Sequence, residues 1–265
     1  MKRWSALRWA ALLSALFSQS AVAATPPKVV TLAPHLTEMV CAIGGCSLLQ
    51  AVGAYSNYPP EVTQLPVVSD ALSINLERLL QLAPTHIYAW DGGTPESQLA
   101  RLRSLGLPVK AMRVNQLQDV AMAMRGMGED LGLKASAEAA AQHYEQGLAA
   151  LRKRYRAAKP VRVFYQIEAN PAYTVNAKSP ISEAIRLCGG VNVFGNLKSL
   201  AAPVSIEAVI AAKPDLVLHA SVNGDAVRRY WAPFTSRPWV QQNQFYAVEA
   251  DLIARASPRL LQGAE

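Results

Sequence analysis

Two stretches of this chain are written on one template. "NLERLLQLAPTHIYAW" (75–90) and "SIEAVIAAKPDLVLHA" (205–220) both run polar residue, aliphatic residue, acid, and both place a Pro seven positions after the acid. Glu77 with Pro84 and Glu207 with Pro214 stand 130 positions apart. Each Pro leads into an apolar run, so a helix followed by a buried strand is expected twice. The residues upstream repeat too. "KVVTLAP" (28–34) is a β-branched run closed by Pro, the pattern of a buried strand. "HLTEMVCAIGG" then predicts a short helix with Thr37 as N-cap and a Gly pair as stop. "VRVFYQI" (161–167) and "SPISEAIRLCGG" do the same in the second half, and Glu38 and Glu183 each precede a Gly of their pair by six residues. Such a repeat predicts two Rossmann-like α/β lobes with mainly parallel sheets.

The halves are separated by "KASAEAAAQHYEQGLAALRKRYRAAKP" (134–160), rich in Ala, Glu, Leu, Arg and Lys, with Gly147 its only interior Gly. About 23 helical residues from Ser136 would span roughly 35 Å, the reach of a small domain. A single long helix at the boundary of the repeat reads as a strut between the lobes; packing on one lobe alone is the plainer alternative. The expected organisation is a leader over residues 1–23, an N-terminal lobe over 24–134, an inter-lobe backbone helix over 135–159 and a C-terminal lobe over 160–265. A cleft between two lobes is the default place for a ligand.

The leader rests on "MKRWSALRW", "AALLSALF" and "AVAA": a basic start, an apolar middle too short to span a bilayer, and a small-residue cleavage site near Ala23. Export to a periplasm follows, with no Cys at the cleavage point to carry a lipid. Of 26 basic residues the leader takes Lys2, Arg3 and Arg8 and none of the 19 acidic ones, which lowers the formal charge from +7 to +4. That is too mild and too dispersed for nucleic acid, and "RKRYR" (152–156) reads as a solvated helix face. With 51% hydrophobic residues a sizeable core is expected. Cys41 and Cys46 sit five apart in "CAIGGCS", where the glycines let the chain turn back, so a disulfide is favoured over two buried thiols. Cys188 is left over.

In order and spacing, "VVTLAPHLTEMV", "VGAYSNYPP", "NLERLLQLAPTHIYAWDGG", "NPAYT", "LCGGVNVF", "VSIEAVIAAKPDLVL" and "RASPRLL" resemble the helical-backbone periplasmic binding proteins of ABC importers, the cobalamin-binding ones in particular. The resemblance covers essentially the whole mature chain. It implies a monomeric receptor, not an enzyme, that captures a corrinoid such as vitamin B12 and delivers it to an inner-membrane permease and its ATPase. Glu77 and Glu207 match the glutamates that dock into arginine pockets of the permease, where charge-assisted carboxylate–Arg bonds suit a reversible, oriented contact. The plainer reading is that each Glu favours the first turn of its helix. Tyr55 and Trp90 match aromatics flanking the corrin ring, Asp251 and Arg255 match polar contacts to its amide rim, and Tyr173 stands where the second lobe offers its own aromatic. The plainer alternative, which the resemblance outweighs, takes Tyr55 and Trp90 as core aromatics and Asp251 with Arg255 as a surface i,i+4 pair. The implied ligand is cargo; no resident cofactor or metal is expected.

Three positions depart from the cobalamin pattern: Ala71, Ala201 and Leu252 stand where large aromatics are expected. Each loss removes a flat face of roughly 150–250 Å² from the cleft, which leaves open an incomplete corrinoid, haem, a ferric siderophore or another chelate. His35, expected on the loop after the first strand, is placed to reach a metal or phosphate, or more plainly to hydrogen-bond its own backbone. A bare-metal receptor needs three or four converging ligands, and His35, His86, His143 and His219 fall in unrelated elements. No Gly-rich phosphate loop, G-x-S-x-G elbow or H-E-x-x-H is present, which speaks against an enzyme. At "SPRLLQGAE" the Ser and Pro open a helix that the resembled proteins continue to a Cys paired with the one matching Cys188, so the resemblance leaves that thiol without its bridge.

Overall fold

The computed structural model describes residues 25–114 and 116–264; the expected leader lies outside them. Each half builds a parallel sheet. In the first, β1 (Val29–Thr31), β2 (Leu49–Gly53), β3 (Val67–Ser69), β4 (His86–Trp90) and β5 (Val109–Met112) lie in the order β3-β2-β1-β4-β5. The second uses β6 (Val161–Gln166), β8 (Gly190–Asn192), β10 (Leu216–Ala220) and β11 (Phe245–Val248) in the order β11-β10-β6-β8. With β1 matched to β6, these are one topology twice: the strand after the first helix lies on one side, the strand after the Pro on the other. β7 (Ala172–Val175) and β9 (Ala201–Val204) form a separate antiparallel pair.

The helices repeat with the strands. α1 (Pro34–Ala42) follows β1, and α6 (Pro180–Leu187) precedes β8. α2 (Leu76–Leu82) and α7 (Ile206–Ala212) are near copies: seven residues each, N-capped by the side chains of Asn75 and Ser205, and ended by Ala83 and Lys213, both at φ 45°. Their buried residues, Leu79 and Val209, are again 130 apart. Thr37 is not a cap. Pro34 opens α1 one turn earlier, because its fixed φ and missing N–H suit the first helical position. Thr37 instead points inward, its Oγ1 2.7 Å from that of Thr31 and 3.0 Å from Ser56 Oγ.

Strand residues alternate between faces, and this divides the core. Val30, Ile87 and Ala89 pack outward against α2 and α3 (Glu96–Ser104); Phe164 and Val217 pack outward with α7 and α8 (Gly224–Trp231). Val29, Tyr88, Val163 and Tyr165 face the opposite way into one continuous cluster shared by both halves. Its spine is α5 (Lys134–Tyr155), whose Ala137, Ala141, Tyr144, Leu148 and Leu151 recur at helical spacing and are buried. At 22 residues α5 is about 33 Å long. It starts two residues before the expected Ser136 and stops five before Pro160. α4 (Leu117–Asp130) lies against it, and Arg125 reaches both Glu138 at 2.7 Å and Glu145 at 2.6 Å. Cys41 and Cys46 are bonded; Cys188 is free, its Sγ donating to the Ala264 carbonyl at 3.3 Å.

The α4–α5 turn is so close that a Cβ on Gly128 would lie 2.2 Å from the Ala137 Cβ. Gly128→Ala is therefore expected to destabilise the protein by about 1–3 kcal/mol despite alanine's better helix propensity. Urea unfolding measures it; an unchanged midpoint would show that α4 and α5 are not in this contact.

Candidate functional site

In open α/β sheets the strand order reverses at one point, and the crevice beyond the carboxyl ends there receives ligands. In the first sheet that point lies between β1 and β4, whose carboxyl ends deliver His35 and Trp90. β2 runs on to Tyr55. In the second half, β11 runs on to a short helix, Ala250–Ile253, which carries Asp251, and then to Arg255. Both lobes thus present residues from the same ends of their sheets.

Tyr55 and Trp90 line one hollow of about 190 Å³, together with Ala33, Asp70, Ala71 and Gln98. Tyr55 is 81% exposed and sits at φ 64°, a left-handed conformation that a bulky residue adopts only at a cost. It is no core aromatic. Trp90 is half-buried, and a Cβ on Gly93 would fall 1.8 Å from its ring, so only Gly lets the "DGG" turn fold against it. Ala71 contributes one methyl to this hollow, Ala201 is exposed at the start of β9, and Leu252 packs beside Gly263 instead of facing a partner aromatic.

His35 is corrected by the structure. It lies in the first turn of α1 and not on a loop; it is buried, with its ring 5.2 Å from Trp90, edge-on. Its Nε2 and the Trp90 Nε1 are both buried and find no protein partner among the described residues. Burial, and then the charge of Arg255, push the His35 pKa down to about 4, so the imidazole is neutral at pH 7.

Arg255 joins the lobes. It meets Asp251 at 2.7 Å, donates to Asn57 Oδ1 at 2.8 Å and to the Tyr55 carbonyl at 3.0 Å, and pairs with buried Glu38 at 2.8 Å. Asn57 Nδ2 donates in turn to Asp251 at 2.7 Å. The i,i+4 pair therefore exists, but with the Arg255 side chain only 11% exposed it is no loose surface contact. Glu38 also accepts from Ser257 Oγ at 2.5 Å and Arg259 at 3.4 Å, and Arg259 lies 3.9 Å over the Tyr58 ring. Asn57, Glu38, Ser257 and Arg259 were not singled out as site residues from the sequence, although "SNYPP", the Glu38–Gly spacing and "RASPR" contained them. Tyr173 is half-buried on β7, opposite Pro203, and its backbone bonds stay within the C-terminal half. Glu77 and Glu207 are exposed in the first turns of α2 and α7. A hydrogen bond to its own backbone N–H, and then Ser205, hold the Glu207 carboxyl below the usual carboxylate range. Among the described residues no three His, Cys, Asp or Glu side chains converge as a metal site, and no helix is long and apolar enough to cross a membrane.

Two α/β lobes meeting across their carboxyl ends, with a long helix as their common support, define a bilobal solute-binding protein. A profile of the periplasmic binding protein family matches residues 29–229, and the chain belongs to that family. It is 34% identical over 241 residues, 90% of this chain and 86% of the relative, to a vitamin B12-binding protein of Vibrio cholerae serotype O1. A crystal structure of a periplasmic vitamin B12-binding protein of Vibrio cholerae superposes with a TM-score of 0.84 at 33% identity, covering 90% of this chain and 94% of that one. A periplasmic haem-binding protein of the same species superposes with a TM-score of 0.78 at 25% identity, over 89% and 95% of the two chains.

Since His35 is neutral when folded and takes up a proton when unfolded, acid favours unfolding as pH falls from about 6.5 to about 4. This costs up to about 3 kcal/mol. His35→Gln is expected to flatten that part of the pH dependence, measured by urea unfolding at pH 7 and 4.5. Parallel slopes for the two proteins would mean that His35 is not held neutral.

Proposed function

We propose that this protein captures a corrinoid, vitamin B12 or a close relative, in the cleft between its lobes and delivers it to an inner-membrane ABC permease. One observation carries the choice of ligand within the family. Asp251 and Arg255 already grip a carboxamide, that of Asn57: its Nδ2 donates to the carboxylate and its oxygen accepts from the guanidinium. A corrinoid carries such amides around its rim, so this acceptor–donor pair suits its edge. The relatives named for vitamin B12 support the same reading.

In this account Tyr55 and Trp90 offer flat apolar surface to the macrocycle from the N-terminal lobe and Tyr173 does so from the C-terminal lobe. The exposed, strained backbone of Tyr55 makes sense if the ring is held out for a ligand. His35 stays behind Trp90, neutral, supporting it rather than ligating cobalt. The 190 Å³ hollow receives a side arm and not the whole ring. Glu77 and Glu207, at equivalent places on the two lobes, dock into basic pockets of the permease. Binding and delivery involve no chemical conversion of the ligand. The work is done in the periplasm, after removal of a leader ending near Ala23.

Haem or a ferric siderophore is the second reading, favoured by Ala71, Ala201 and Leu252 at the expected aromatic positions and by the haem-binding relative. Titration of the mature protein with cyanocobalamin, cobinamide and haemin, followed by calorimetry, separates the two. Submicromolar corrinoid binding is expected, weakened about 10- to 100-fold by Asp251→Ala, since a hydrogen bond to a charged group is worth about 1.5–3 kcal/mol. Haemin binding tighter than either corrinoid would overturn the proposal. Glu77→Ala with Glu207→Ala is expected to leave the dissociation constant unchanged and to abolish corrinoid uptake by cells that depend on this receptor. Normal uptake would remove the docking role.

A further inference from the structure

We infer that Glu38 and Glu183 are a reciprocal pair of clasps between the lobes, and that Glu38 is a positioning residue that aims Arg255 at the ligand; the second half rests on the corrinoid reading. The two glutamates occupy the same place in the repeat, six residues before a Gly of the pair that ends the first helix of each half. Each reaches across to the other half. Glu38, on α1, accepts from Arg255, Ser257 and Arg259, all from the segment that follows β11. Glu183, on α6, accepts at 2.6 Å from the backbone N–H of Leu117, the first residue of α4 in the segment that follows β5. In both cases the acid of one lobe's first helix binds the chain just beyond the last strand of the other lobe.

The chemistry at the two crossings differs. Leu117 N–H is one of the helix-terminal donors that α4 cannot satisfy internally, and a carboxylate there also complements the helix dipole. The Glu183 side chain is 13% exposed and is backed by Arg186 at 2.8 Å. The Glu38 side chain is 2% exposed, and a carboxylate so buried is tolerated only when opposite charge and hydrogen bonds surround it. Two guanidinium groups and a hydroxyl do so. Arg255 is therefore anchored from behind by Glu38, and its remaining donors face Asn57, Tyr55 and Asp251 at the cleft. Its long side chain would otherwise sample many rotamers, and fixing it in advance removes that cost from ligand binding.

Hydrogen exchange on the ligand-free full chain tests the clasps. Glu183→Ala is expected to deprotect the Leu117 amide while leaving the 255–260 segment unchanged, and Glu38→Gln is expected to do the reverse. Unchanged exchange at Leu117 in the first variant, or at 255–260 in the second, would overturn the respective clasp. A cycle of Glu38→Gln, Arg255→Gln and the double variant, read by cyanocobalamin titration, tests the aiming role. Glu38→Gln should weaken binding about tenfold in the unmodified chain and less than about twofold once Arg255 is gone, because coupled residues are non-additive. Equal losses in both backgrounds would reduce Glu38 to a structural part. If circular dichroism shows Glu38→Gln unfolded, Glu38→Asp, whose shorter side chain draws the carboxylate back from Arg255 and Arg259, takes its place in both tests with the same directions expected. Absence of cyanocobalamin binding by the unmodified chain would contradict the corrinoid reading and the aiming role together, whereas the exchange data decide the clasps on their own.

Discussion

Both lobes of this protein bury their inner faces against the same helix. Ala137, Ala141, Tyr144, Leu148 and Leu151 of α5 belong to one apolar cluster with Val29, Leu36 and Tyr88 on one side and Val163, Ile185 and Leu260 on the other. Neither sheet can turn far about α5 without opening that cluster, at a cost of roughly 25 cal/mol for each Å² of apolar surface returned to water. A flexible linker would permit wide hinge motion; this helix, doubled by α4 and tied to it through Arg125, does not. Lobe closure is therefore expected to be small, which leaves the proposed recognition to the groups placed at the cleft walls.

Those groups are placed by topology. Parallel strands deliver their following loops to one end of each sheet, so Tyr55, Trp90, Asp251 and Arg255 reach the meeting line of the lobes though they are up to 200 residues apart. Charge is spent sparingly there. One buried carboxylate, Glu38, holds two guanidinium groups, and Arg255 passes that order on to Asp251 and Asn57. These polar groups hold one another in place while the Tyr55 side chain is exposed, an arrangement that would suit the proposed ligand, large and flat with hydrogen-bonding edges.

What could be read from the sequence was periodic or repeated. Apolar runs placed between helical patterns predicted the parallel strands, the Ala-, Leu- and charge-rich segment predicted α5, and the 130-residue offset predicted α2 and α7 as copies; their matching caps came only with the structure. The Cys41–Cys46 bridge followed from spacing and glycines. Local signals failed where two competed: Pro34 outbid Thr37 for the start of α1, which carried His35 from an expected loop into a buried helical turn. Glu38 was visible as a repeated residue, but its partners lie more than 200 positions away and no local pattern points to them. Asn57 was hidden for the same reason. Its importance comes from a contact made only when both lobes are in place.

The most direct test of the whole account is a crystal structure of the mature protein with cyanocobalamin, set beside one without ligand. The corrin ring is expected between the lobes, against Tyr55 and Trp90, with an amide of its rim on Asp251, the Glu38–Arg255 pair intact, and the two structures superposing as a single body about α5. A ring bound elsewhere, or lobes swung apart with Arg255 pulled off Glu38, would contradict it.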